Sequence, residues 1–100
     1  MDAQAALKAL AEPRRREILA ILRDDGALSV GELSGRVDVT QQAVSLHLKV
    51  LEDAGLVEAR REGTRHIYAV RPKGFQPVQD FVAGFWGEHL AELKNSAERG

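Results

Sequence analysis

Between Thr40 and Lys49 the sequence reads TQQAVSLHLK, and its polar side chains are of the types that read or grip nucleic acid. A glutamine amide donates and accepts at once, so it can pair bidentately with adenine, while a serine hydroxyl serves either role. An apolar group can lie against a thymine methyl, and a lysine or a helix N-terminus can hold a phosphate. On a helix, at about 100° per residue, Gln42, Ser45, Leu46 and Lys49 project together. Val44, Leu48 and Leu51 lie opposite, with His47 at their edge. No acidic residue enters that outer face before Glu52 and Asp53.

Basic groups follow at once. The whole chain carries a formal charge of −1, yet residues 58–73 hold five Lys/Arg against two Asp/Glu. A localised basic block beside a polar helix face is the electrostatic footprint of nucleic-acid contact. The bland alternative for the helix alone is an ordinary solvated face. The adjoining arginines Arg60, Arg61 and Arg65 favour one continuous nucleic-acid surface, so the second face of this helix is read as a face for DNA.

Other chemistries find little support. The chain has no cysteine, which excludes disulfides, thiolate metal sites and cysteine nucleophiles. There is no glycine loop of the kind that cradles phosphates, and no serine beside its base. Ser45 and His47, two apart on a helix, point about 160° from one another. No catalytic residue and no enzyme activity are expected.

The elements that position these groups follow from spacing and caps. Residues 3–10 read as a short helix around Leu7 and Leu10. Glu12-Pro13 restarts the chain, since proline suits the first helical turn. Ile18, Leu19 and Leu22 then face one way until Asp24-Asp25-Gly26 closes the helix with a glycine cap. Ser29-Val30-Gly31-Glu32 has capping-box spacing and starts a short helix carrying Leu33 and Val37. Val37-Asp38-Val39 makes a tight connection of about three residues, Thr40 caps the helix 41–54, and Gly55 ends it. VEARREGTRHIYAV has β-forming residues at both ends and Glu62-Gly63 at its centre, so it reads as a hairpin. Pro72 and Gly74 interrupt the pattern, and a last helix follows from about 77 to 97. The expected fold is mainly α with a β-hairpin wing, a winged helix-turn-helix. It forms one domain, 1–100, with the helix-turn-helix at about 30–54, the wing at about 57–70 and a terminal helix that pairs subunits.

One hundred residues that are 44% hydrophobic can build their own core. The N-terminus lacks the apolar stretch of a signal peptide, and no run approaches the roughly 18–20 apolar residues of a membrane span. A cytoplasmic protein with no membrane partner is expected.

TQQAVSLHLKVLEDAGLVEARREGTRHIYAV resembles the signature of the ArsR family of bacterial winged-helix repressors, and LKALAEPRRREILAILRDDG resembles its opening. The resemblance covers about residues 5–70 and rests on alanine-x-proline-x-arginine, serine-x-histidine-leucine-lysine-x-leucine and alanine-glycine-leucine-valine. It implies a homodimer on a palindromic double-stranded operator, with recognition helices in successive major grooves and wings in the flanking minor grooves. It further implies contacts from Thr40, Gln41, Gln42, Ser45 and Lys49, a phosphate contact from His47, and wing contacts from Arg61 and Arg65. This chain departs from the pattern at Leu46, where relatives often carry a polar or basic residue, and at Glu12, which replaces the usual aspartate.

Many members of that family sense metals. The cysteine pair of the arsenic and cadmium sensors falls where this chain reads LSVGELSGR, and it is missing. A second type of site, on the last helix, needs aspartate-x-histidine before histidine-x-x-glutamate. His89-Leu90-Ala91-Glu92 supplies the second half, but Asp80 is followed by Phe81 and Val82. Two ligands do not make a zinc site, and His47, His66 and His89 fall on three different elements. No metal and no cofactor are expected.

On the last helix Val78, Phe81, Val82, Phe85, Trp86, His89, Leu90 and Leu93 cover roughly 180°, against the stripe of about 100° that a surface helix needs. An excess of this kind usually marks an interface; the bland alternative, a helix sunk deep in its own core, is not expected in so small a protein, and a twofold dimer with Leu7 and Leu10 of the first helix is the economical solution. The Phe85-Trp86 pair with leucines after it also resembles a metal-independent subgroup of ArsR-like repressors. Gly84 and Gly87, each costing about 1 kcal/mol in a helix interior, admit either a close backbone approach or a bend. The leading expectation is a homodimeric DNA-binding repressor. Its alternatives are a winged helix used as a protein-interaction module, and a repressor released by a small organic ligand at the dimer seam.

Overall fold

Two helices open the chain, α1 (Gln4–Leu10) and α2 (Pro13–Asp25), in a computed structural model that describes residues 3–86. Glu12 is the N-cap of α2, its carboxylate accepting from the Arg14 N–H at 3.1 Å, and Pro13 fills the first helical position. The arginines that follow tie the two helices together. Arg15 Nε donates to the Ala9 carbonyl at 2.6 Å, and Arg16 Nη1 donates to the Leu10 carbonyl at 2.7 Å. These bonds satisfy carbonyls that the last turn of α1 would otherwise leave without partners. Gly26 ends α2 at φ +84°, its N–H returning to the Leu22 carbonyl.

A two-residue strand, β1 (Leu28–Ser29), runs into α3 (Val30–Ser34). The capping box forms in full: the Glu32 N–H donates to Ser29 Oγ at 3.2 Å, and the Ser29 N–H donates to Glu32 Oε1 at 3.0 Å. The connection from α3 to α4 (Gln41–Asp53) is longer than the three residues expected, because α3 stops at Ser34 and Val37 lies beyond it. Gly31, Ser34 and Gly35 are poor helix formers within five residues, and the Ser34 hydroxyl bonds back to the Gly31 carbonyl at 3.0 Å. Val37 is buried all the same.

Thr40 caps α4, its Oγ1 accepting from the Ala43 N–H at 3.1 Å. The helix ends in a Schellman arrangement around Gly55 at φ +78°. The Gly55 N–H bonds the Glu52 carbonyl and the Leu56 N–H bonds the Leu51 carbonyl, each at 2.9 Å. Strands β2 (Val57–Glu62) and β3 (Arg65–Val70) form the hairpin, and β3 also pairs with β1, so the sheet order is β1-β3-β2. Gly63 has φ +63° while Thr64 is not positive, the combination of signs in a type II′ turn. Beyond β3, Pro72 and Gly74 belong to a 3-10 helix (Pro72–Phe75) that leads into a helix, α5, at 76–86. His89, Leu90, Leu93 and Gly87 lie outside the described residues.

The core gathers Ile18 and Leu22 of α2, Leu33 of α3, Val44, Leu48 and Leu51 of α4, and Leu56 and Val57 at the start of the hairpin. Among the described residues no polar or charged side chain is buried. α1 contributes its alanines: Ala6 and Ala9 are buried, Leu10 is half-buried against the core, and Leu7 stays outside. The architecture is a winged helix-turn-helix, with α4 held by three buried apolar residues on its inner side and its outer side left to solvent.

Candidate nucleic-acid interface

The burial of Val44, Leu48 and Leu51 turns Gln41, Gln42, Ser45, Leu46 and Lys49 to solvent, with His47 half-buried at the margin. Among the described residues the side chains of Gln41, Gln42 and Ser45 make no internal hydrogen bond, so their donors and acceptors remain available to a ligand. Thr40 accepts from the helix terminus and keeps its own O–H to donate. Lys49 Nζ lies 3.4 Å from Asp53 Oδ1, an exposed pair four residues apart. Such a pair is weak enough for a phosphate to replace it.

The wing divides its arginines between two faces. In the antiparallel register Arg61 stands opposite His66, while Arg60 pairs with Ile67 and Glu62 with Arg65. Residues opposite one another share a face and neighbours alternate. Arg61 and His66 therefore lie on one side, and Arg60, Glu62 and Arg65 on the other. On that second side charge is already matched: Arg60 Nη2 is 3.2 Å from Glu62 Oε1, and Arg65 Nη2 is 2.6 Å from Glu32 Oε1. Arg61 makes no hydrogen bond or ion pair among the described residues.

Glu32 thus has two roles, closing the cap of α3 and holding the wing to the helix-turn-helix. Its carboxyl is held below the usual range by the Ser29 backbone N–H first, then by the Ser29 hydroxyl, with the Arg65 guanidinium adding to both. Sequence reasoning identified Glu32 as a cap and Arg65 as a wing contact, but not their pairing, which joins residues 33 apart. No local pattern could have signalled it.

Away from this surface, Phe81, Phe85 and Trp86 are about half exposed or more, at 50%, 72% and 48%, and Val82 is half-buried. Phe81 and Phe85 meet edge to face with centroids 5.0 Å apart. Phe75 and Val78 pack on the core instead. Between α1, α2, β3 and the 3-10 helix lies a half-open depression of about 420 Å3 floored by Leu10, Leu19, Val70 and Phe75, with Arg16 and Arg23 at its rim. Among the described residues no three His, Asp or Glu side chains converge as metal ligands, and His89 and Glu92 lie outside them. None of the described helices is long and apolar enough to cross a membrane.

Comparison with known proteins places this geometry in company. Residues 10–60 match a family described as a helix-turn-helix domain. The HTH-type transcriptional regulator Rv2034 of Mycobacterium tuberculosis is 43% identical over 85% of this chain and 78% of its own length. The transcriptional activator HlyU of Vibrio cholerae is 47% identical over 64% of this chain and 58% of its own length. Among solved structures, the homodimeric winged helix-turn-helix DNA-binding domain Mb0332 of Mycobacterium bovis, a possible ArsR-family regulator, superposes with a TM-score of 0.68 at 34% identity. It covers 88% of this chain and 81% of that one.

Proposed function

The chain belongs to the ArsR family of winged helix-turn-helix transcriptional regulators, and from that premise we propose that it is a homodimeric repressor that binds a palindromic operator without a metal effector. The observation that carries the reading is the outer face of α4, where free amides and hydroxyls at the helix N-terminus face solvent with no acid before Glu52. Gln42 and Ser45, with Thr40 and Gln41 beside them, meet base edges in the major groove. Lys49 and His47 grip the adjoining phosphates, and Arg61 reaches from the wing into the flanking minor groove. Arg65 acts by docking the wing onto α3 through Glu32.

A homodimer is supported by the aromatic face of α5, since Phe81, Phe85 and Trp86 would stay wet in a single copy. Leu7 of α1 joins that seam from outside the core, and Leu10 at its half-buried edge; His89, Leu90 and Leu93 extend it. Two recognition helices related by a twofold axis then read two inverted half-sites. Repression follows from occupancy, because a dimer seated on a promoter excludes polymerase. The absence of cysteine removes one type of metal site known in the family, and the missing partners of His89 remove the other.

Fluorescence anisotropy on the chain's own promoter DNA against a scrambled duplex, at two salt concentrations and with added zinc, tests the reading. Tight, selective binding that weakens with salt and ignores zinc is expected. Equal affinity for both duplexes at every salt would move the weight to a protein-interaction module. Release by zinc would return His89 and Glu92 to the site. A second reading, repression lifted by a small organic ligand, is favoured by one feature. The depression floored by Leu10, Leu19, Val70 and Phe75 offers apolar contact with guanidiniums at its rim.

A further inference from the structure

Leu46 is 68% exposed in the middle of the outer face of α4. Among the described residues the exposed large hydrophobics divide into two groups: Leu7, Phe81, Phe85 and Trp86 on α1 and α5, and Leu46 with Val50 on α4. Val50 borders a recess with Ala5, Ala9 and Ala54 and so turns toward α1. Leu46 is not among the residues that line that recess. On the helix surface it has Gln42 one turn before it, Lys49 and Val50 one turn after it and Ser45 beside it, and three of these four are groups assigned above to DNA.

A leucine at this position does nothing for the core, which α4 contacts through Val44, Leu48 and Leu51 on the opposite side. In the major groove, by contrast, one base carries an apolar group, the C5 methyl of thymine. A leucine pressed against that methyl removes apolar surface of both partners from water. Pressed against cytosine N4 or guanine O6 and N7, it would strip water from polar groups and give nothing back. The same side chain therefore attracts one base and penalises the others.

We infer that Leu46 is a specificity-determining residue that reads thymine through its methyl group, an inference that rests on α4 entering the major groove. Gln42 sits one turn earlier, about 6 Å along the helix axis, where it pairs with adenine. Successive base pairs are about 3.4 Å apart, so the thymine lies within about two base pairs of that adenine in each half-site. Lys49, one turn further on, faces the backbone. The half-site is A·T-containing at both positions.

Selection of duplexes from a random library with the full chain, followed by replacement of each thymine with deoxyuridine, tests this. Deoxyuridine keeps every hydrogen-bonding group and removes only the methyl. Wild type should lose about fourfold in affinity per half-site at one thymine, the loss expected for one buried methyl group. Leu46→Ala should bind more weakly overall and become indifferent to deoxyuridine at that position, while its thermal melt stays near wild type because Leu46 is outside the core. Indifference of wild type at every thymine, or an undiminished methyl effect in Leu46→Ala, overturns the inference and leaves the DNA-binding reading standing. Failure of the wild type to enrich any sequence would overturn both.

Discussion

Arg65 Nη2 lies 2.6 Å from Oε1 of Glu32, so the first residue of the returning wing strand is bonded to the capping box that starts α3. One carboxylate oxygen accepts from the Ser29 N–H and from a guanidinium that arrives 33 residues later. The wing is thereby fixed relative to the helix-turn-helix by a charge-assisted bond rather than by the hairpin alone. Both side chains are exposed, so the bond serves orientation more than stability.

The pH dependence of this dock has a defined sign. The Glu32 carboxyl is held below the ordinary range in the folded state, the Ser29 backbone N–H being the largest cause. Its contribution is thus present above the unfolded value and is lost as pH falls through the lowered folded value. The protection of the amides of residues 60–66, taken relative to the intrinsic exchange rate at each pH, should be high near neutrality and fall in acid below the usual glutamate range. In Glu32→Gln the wing should exchange faster at neutral pH and lose that acid dependence; unchanged exchange at all pH values would show that the wing is held by something else.

The arginines of the wing should separate in their salt dependence. Arg61 is unpaired among the described residues, whereas Arg60 already faces Glu62 at 3.2 Å. Arg61→Ala should weaken binding to all sequences and reduce the slope of log K against log salt by about 1. Arg60→Ala should change that slope less, since its charge is partly matched before DNA arrives. Equal slopes for the two variants would contradict the division between faces.

Gln42→Ala should relax preference at one base pair in each half-site, at about 1–3 kcal/mol of discrimination. Measured affinities for duplexes varied at that base pair should converge in the variant while the remaining positions keep their ranking. A uniform loss across all sequences would instead assign Gln42 to the backbone.

Gly74 and Gly84 should respond oppositely to alanine. A Cβ at Gly74 would fall 1.7 Å from the Gly55 carbonyl oxygen, a backbone atom that cannot move aside. Gly74→Ala should cost about 1–3 kcal/mol or more in urea unfolding. Gly84 sits in α5 with nothing within 4 Å, so Gly84→Ala should stabilise the isolated helix by about 1 kcal/mol. A Gly84→Ala protein that loses dimerisation would show that the glycine is there for the partner's backbone.

Trp86→Asp should shift gel-filtration elution to the monomer and weaken operator binding, with the fold retained. Trp86 is 48% exposed, and a charge there is hydrated in the single copy but stranded in an apolar seam. Elution at the wild-type volume would place the seam elsewhere.

Much of the molecule is written locally. Ser29 with Glu32, Thr40, Gly26 and Gly55 are caps whose partners lie within four residues of them. The inner stripe Val44, Leu48 and Leu51 has helical spacing, and Glu62-Gly63 marks the hairpin turn. These signals located the winged helix and the outward face of α4, because hydrogen bonds and apolar periodicity within one or two turns leave a pattern in neighbouring residues. α3 ends before Val37, short of what its apolar spacing predicts, for a related reason: Ser34 bonds back to the Gly31 carbonyl and so competes locally with the helix.

Tertiary structure alone decided the rest. Strand β1 is two residues long and exists only because β3 offers it partners at Ile67 and Tyr68. Arg15 and Arg16 read as surface charges until α1 folds back and presents its carbonyls to them. Gly74 reads as a breaker until Gly55 comes beneath it. Arg60, Arg61 and Arg65 are alike by composition, and only strand alternation and the arrival of Glu32 leave Arg61 alone of the three without a partner among the described residues. Groups brought together from distant parts of the chain carry no spacing rule, so their roles are set by the packing that unites them.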